Sequence, residues 1–132
     1  MRIRVLMASA LLVGLLNAVP SPLAAAAVPI TGMYTDMRYI RDAGDVLGME
    51  VFVVGAGRGW YAVVQCAGGE PATPVVVPLK ANRAQITFTL PEGLPECGQE
   101  FVGIITRSGL RGRFRGESTD RWLRRHASYW QQ

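Results

Sequence analysis

The strongest constraint on this chain is its periodicity. From residue 28 onward no run of ten residues repeats its apolar positions with helical period. Short apolar or alternating runs follow one another instead, each ended by residues that turn the backbone. Eight strands are expected: Thr31–Arg41, Val46–Val54, Trp60–Gln65, Thr73–Leu79, Ala84–Leu90, Phe101–Thr106, Leu110–Arg115 and Arg121–Arg125. Between them lie AGD, GAGRG, AGGEPA, KANR, PEGLPECGQE, RSG and GESTD, segments rich in residues that turn or take positive φ. Alternation is cleanest where Ile86, Phe88 and Leu90 interleave with Gln85, Thr87 and Thr89. It recurs where Leu110, Gly112 and Phe114 interleave with Arg111, Arg113 and Arg115. With 15 Gly and eight Pro among 132 residues, the composition argues against a helical bundle and for many turns, and 49% hydrophobic content excludes a disordered chain.

Connections of about three to ten residues suit an up-and-down antiparallel meander. An open sheet of that width leaves two unpaired edges, and closure removes them. The chain is therefore expected to be all-β, an eight-stranded meander closed into a small barrel, with a two-sheet sandwich as the alternative. Tyr34, Met49, Val51, Val63, Ile86, Phe88, Leu110, Phe114 and Leu123 are expected inside. These side chains are large enough to fill a barrel of such short strands. Gly48, Gly103 and Gly112 oppose that reading, since small inward residues could open a pocket. The 91–100 loop is expected to fold across one mouth.

The first 27 residues read as a secretory signal, leaving 28–132 as a single barrel domain. Arg2 and Arg4 precede an uncharged run, Val5 to Leu16, and Ala24 to Ala27 offers a cleavage site. A run of twelve residues is too short to span a bilayer comfortably. The expected location is periplasmic or secreted, and the cleaved protein is not expected to be integral to a membrane. Cleavage leaves 12 basic and 10 acidic residues. Seven Arg lie from Arg107 onward, whereas Val28 to Thr106 holds five basic and eight acidic residues. A net charge of +2 on an exported chain is a poor fit to nucleic acid.

Two cysteines, Cys66 and Cys97, fall in the exported part, where an even pair normally oxidises. Their bridge closes a loop of about 30 residues, worth roughly 3.5 kcal/mol on the chain-entropy estimate. Meander parity puts both at one end of the barrel, and a strand count off by one would separate them by about 20 Å. The same parity gathers Asp42, Asp45, Glu70, Glu92, Glu96, Glu100, Glu117 and Asp120 at the disulfide end. Arg58, Lys80, Arg83 and Arg107 go to the other.

Gly32-Met33-Tyr34 resembles the Gly-x-Trp of the lipocalin and avidin group of small barrels, with Tyr in place of Trp. In that group an Arg of the last strand packs across the aromatic ring, a role the resemblance assigns to Arg124 or Arg125. The segments GDVLGMEVFVV and LRGRF and the C-terminal YW also resemble small uncharacterised exported bacterial proteins.

Few residues carry chemistry. Glu50 sits among apolar neighbours; facing inward it would have a raised pKa and could bind a cation, and facing outward it would be an ordinary solvated carboxylate. Tyr34, Glu50, Phe88 and Phe114 are the candidate interior residues. His126 is the only histidine, with no nucleophile or metal-ligand cluster signalled beside it. Ser108 and Ser118 lack a nucleophile-elbow context, and GAGRG lies between two strands with no helix following. No catalysis, cofactor or metal is expected. Arg111, Arg113 and Arg115 form a ladder on one face, with Arg124 and Arg125 beside it, suited to an anionic partner. Trp60-Tyr61 and Tyr129-Trp130 are expected at the basic end, with the C-terminal tail plugging the barrel there. These features point to a non-catalytic exported envelope interaction module working through its loops and exterior. An envelope protein, a glycan or a lipid headgroup would be its partner. A barrel holding a small apolar ligand is the alternative.

Overall fold

A computed structural model describes residues 26–132, so the signal reading lies outside the described residues apart from Ala26 and Ala27. The strands are β1 (Gly32–Thr35), β2 (Arg38–Ile40), β3 (Asp45–Ala56), β4 (Gly59–Gly69), β5 (Val75–Asn82), β6 (Gln85–Thr89), β7 (Glu100–Ile105), β8 (Gly109–Phe114) and β9 (Arg121–Arg125). Strands β3 to β9 pair antiparallel in chain order, and β1 bridges β9 to β3. Eight strands thus close into a barrel, and β2 is an extra strand on β3.

The expected first strand is divided in two for a local reason. Thr35↔Glu50 and Arg38↔Leu47 keep one register, yet Asp36 and Met37 leave the ladder. Opposite them Gly48 takes φ +116°, and a Cβ there would lie 2.7 Å from both the carbonyl oxygen and Oδ1 of Asp36. The Asp36 carboxylate accepts the Met49 amide at 2.6 Å, the place a ladder carbonyl would otherwise fill.

Alternation decides the core. Tyr34, Met49, Val51, Val53, Ala62, Ile86, Phe101, Leu110 and Leu123 have no accessible surface, and Phe88 and Phe114 are nearly as buried. A hole large enough for water would appear as surface on its walls, so the interior around these side chains is solid. Gly103 and Gly112 face each other across β7 and β8. A Cβ on them would come within 2.8 and 2.6 Å of the Phe101 ring. That ring takes up the space they leave, stacked on Phe88 at 4.9 Å and edge-on to Phe114 at 5.2 Å. Val63 corrects the expected inward set. It pairs with Phe52 and Val76 and points outward with them, while Ala62 and Val64 face in. Consecutive valines hide the phase of β4 from the sequence.

Both ends are closed. At one, Cys66 is bonded to Cys97 with Cα atoms 6.1 Å apart, and Leu94 and Cys97 of the 90–99 loop pack on the core. At the other, Val28 and Ile30 pack on the core beneath β1. The tail does not plug that end. After β9 the chain turns onto the outer wall, where a 3-10 turn (Tyr129–Gln131) begins and Tyr129 packs on a second cluster of Met37, Val46 and Ala67.

Candidate functional site

The residues with contact chemistry lie on the outer face of β7, β8 and β9. In β8, Leu110, Gly112 and Phe114 fill the interior, so Arg111 and Arg113 must point out, and Arg115 continues the row. Across the ladder Arg113 faces Val102 and Arg111 faces Ile104. Val102 is 46% and Ile104 57% exposed. On the other side Arg111 faces Trp122, its guanidinium 5.7 Å from the indole centroid. Val102, Ile104 and the three arginines line a groove of about 660 Å³ whose floor is apolar and whose flank also carries Glu100, Glu117 and Asp120.

The ladder is less free than its sequence suggests. Arg115 meets Glu100 at 2.6 Å and Arg113 meets Asp120 at 3.8 Å, both pairs exposed. Arg121 meets Glu117 at 2.7 Å in a more sheltered position. Burial disfavours the Glu117 charge, but hydrogen bonds from Arg121 and the Phe114 amide, with the Arg121 charge, outweigh it and hold the carboxyl below its usual range. Burial likewise disfavours the Arg121 cation, and Glu117 more than offsets this. Arg121 also lies over the Phe114 ring and donates to the Glu96 carbonyl, tying the disulfide-end loop to β9. Among the described residues, Arg107, Arg111 and Arg124 form no ion pair. Of the groove's arginines only Arg111 is therefore uncompensated, and it lies over Trp122.

Arg124 points outward and borders a second groove of about 480 Å³ with Trp122, Arg38 and His126. The exposed His126 ring reaches only the Ala127 carbonyl, at 3.3 Å. Arg125 does not belong to this surface. Its odd parity turns it inward across Tyr34, with the guanidinium carbon 4.9 Å from the ring centroid. It donates to the carbonyls of Thr31 at 2.8 Å and Pro29 at 2.6 Å, and to the Tyr34 hydroxyl at 2.6 Å. Burial raises the Tyr34 pKa, and Arg125 opposes that rise. Gly32 makes the arrangement possible. At φ +145° it carries no Cβ, which would lie 2.8 Å from Arg125 Nη1.

Glu50 is a second correction. Met49 and Val51 face in, so Glu50 faces out, and it is only 6% exposed because the C-terminal turn covers it. Tyr34, Phe88 and Phe114 are interior. The groove floor, Val102 and Ile104, was legible as apolar residues at outward positions of an alternating strand, but sequence reasoning did not use it. The pairing of Glu100 and Asp120 with the ladder needed the cross-strand register.

Eight carboxylates map to the loops and strand starts at the disulfide end, and Arg58, Lys80, Arg83 and Arg107 map to the other end. Cys66 is 1% exposed, and a buried disulfide is compatible with an oxidising, extracellular environment. No family model, curated protein or solved structure matches the chain.

Proposed function

We propose that this chain is a non-catalytic, exported interaction module of the cell envelope, periplasmic or secreted. It grips an acidic protein surface with the outer face of β7 to β9. One observation carries the reading: the interior is packed solid, while the groove over Val102 and Ile104 stays open beside arginines. An apolar floor flanked by Arg111, the groove arginine that forms no ion pair among the described residues, has the composition of interface hot spots, where an anchor is desolvated and the charge orients it. Arg111 stacked on Trp122 is pre-ordered for a carboxylate, which lowers the entropy lost on binding. The Gly32, Tyr34 and Arg125 arrangement supports a lipocalin-like or avidin-like frame used without an internal ligand.

The test is crosslinking in envelope preparations with three forms of the full chain: native, Ile104→Ser, and Arg111→Ser/Arg113→Ser/Arg115→Ser. The Arg variant should fold nearly normally, because exposed ion pairs contribute at most about 1 kcal/mol each. Both variants are expected to lose the same crosslinked partner. A partner retained by both, or native mass spectrometry showing a small molecule held inside the barrel, would overturn the proposal.

A further inference from the structure

The end of the barrel opposite the disulfide has four corners. Three are the turns from β3 to β4, β5 to β6 and β7 to β8, and the fourth is where the end of β9 meets the start of β1. Each corner carries one exposed arginine: Arg58, Arg83, Arg107 and Arg124. One strand-to-strand gap separates each corner from the next, so the four are spread evenly around the rim. Lys80, also exposed, stands two residues before the end of β5. Residues 26–35, 54–61, 78–87, 103–110 and 122–127, which form this end, contain no Asp or Glu. Among the described residues none of these five cations forms an ion pair. Arg83 holds φ +55°, a conformation that Gly or Asn adopts at less cost, so the turn itself gives no reason for an arginine there.

Gathering unpaired cations on one end does nothing for folding, since like charges repel. The carboxylates at the disulfide end do not cancel them for a ligand that touches this end. Six-residue strands in a tilted barrel put the two ends about 15 Å apart, against a Debye length of about 8 Å at physiological salt. A ligand that meets all four corners at once is flat and as wide as the barrel. None of the four guanidiniums is held by an ion pair or an aromatic ring, so they demand no fixed spacing of anions. A bilayer of anionic lipids has both properties, because its surface is flat and its headgroups move sideways to meet each corner. An acidic protein surface needs fixed anchors, which the side wall supplies in Arg111 on Trp122. Trp60, 37% exposed beside the Arg58 turn, belongs to the residue type that favours the membrane–water interface.

We propose that this end docks on an anionic lipid bilayer, with the barrel upright and its acidic end pointing away. The inference does not rest on the β7 to β9 reading. An upright barrel leaves that wall facing sideways, free for a protein neighbour.

Flotation with vesicles of phosphatidylglycerol and phosphatidylcholine in equal parts tests this. The protein used is residues 28–132, which hold every strand and the disulfide without the apolar run Val5 to Leu16. It should bind at about 50 mM salt and be released by about 500 mM, and pure phosphatidylcholine vesicles should not bind it. Each basic residue near an anionic surface contributes about fivefold, so Arg58→Ser, Arg83→Asn and Arg107→Ser together should weaken binding about a hundredfold. All three are exposed turn residues, and circular dichroism checks that the variant is folded. Arg107→Ser alone gives the same test at about fivefold. The charge-matched control, Arg111→Ser, Arg113→Ser and Arg115→Ser, removes as much charge from the side wall and should bind vesicles nearly as well as the native protein. Equal losses in the two triple variants would mean that attraction follows net charge and not this end. That result, equal binding to phosphatidylcholine alone, or no binding by the native protein at low salt would each overturn the proposal.

Discussion

Arg125 offers the sharpest test of how this barrel is closed. Arg125→Met keeps most of the side-chain stem and removes the guanidinium. Two of its bonds go to the carbonyls of Thr31 and Pro29, both exposed residues that regain water when the donor leaves. Each is therefore worth only about 0.5–1 kcal/mol net. The bond to the Tyr34 hydroxyl is sheltered and charge-assisted, worth about 1 kcal/mol, because the hydroxyl still donates to the Ile30 carbonyl at 2.8 Å. The cation over the ring adds about 0.5–1 kcal/mol. The total is about 3 kcal/mol, or a fall in Tm of about 15 °C for a domain of this size. Tyr34→Phe removes one shared bond, so in a double-mutant cycle the pair should be less than additive by about 1 kcal/mol. Guanidinium unfolding of the oxidised protein, followed by tryptophan fluorescence, measures all four corners. An Arg125→Met loss under about 1 kcal/mol, or additivity within error, would refute the closure argument.

Three further outcomes follow from the geometry. Replacing Cys66 and Cys97 together by Ser should cost about 3.5 kcal/mol from the freed loop, measured as the difference in guanidinium unfolding free energy. Gly112→Ala should cost about 3 kcal/mol or prevent folding. Its Cβ would lie 2.4 Å from the Val102 carbonyl and 2.6 Å from the Phe101 ring, which the β7 ladder holds in place; thermal melts decide. Glu117, held below its ordinary value of 4.5, stabilises the fold when charged and loses that contribution as pH falls through its lowered folded value. Stability should therefore drop less steeply below pH 4.5 in Glu117→Gln than in the native chain, and identical acid slopes would contradict this.

The order of the strands, their antiparallel sense, the closure and the disulfide are all readable in the sequence. Turn residues and period-two alternation are local signals, and the parity of a meander carries them to the ends of the barrel. Cys66 and Cys97 then check the count, since they meet only if the intervening strands are counted correctly. The face of each residue was readable where alternation is clean, as for Phe88, Leu110 and Phe114. It failed where both phases are apolar, as at Val63, because a shift of one residue exchanges inside for outside.

What only the tertiary structure decided is the environment each side chain meets once a distant segment arrives. Glu50 is buried because residues 128 and 129 return to it from 78 and 79 positions away, not because its strand faces inward. Arg125 leaves the cationic surface because Gly32, 93 positions earlier, has no side chain to exclude it. Arg113 and Arg115 are neutralised by Asp120 and Glu100 through register and loop path. Alternation names two faces for every strand. Only the closed barrel, with its loops and tail in place, determines which parts of the outer face remain open to water.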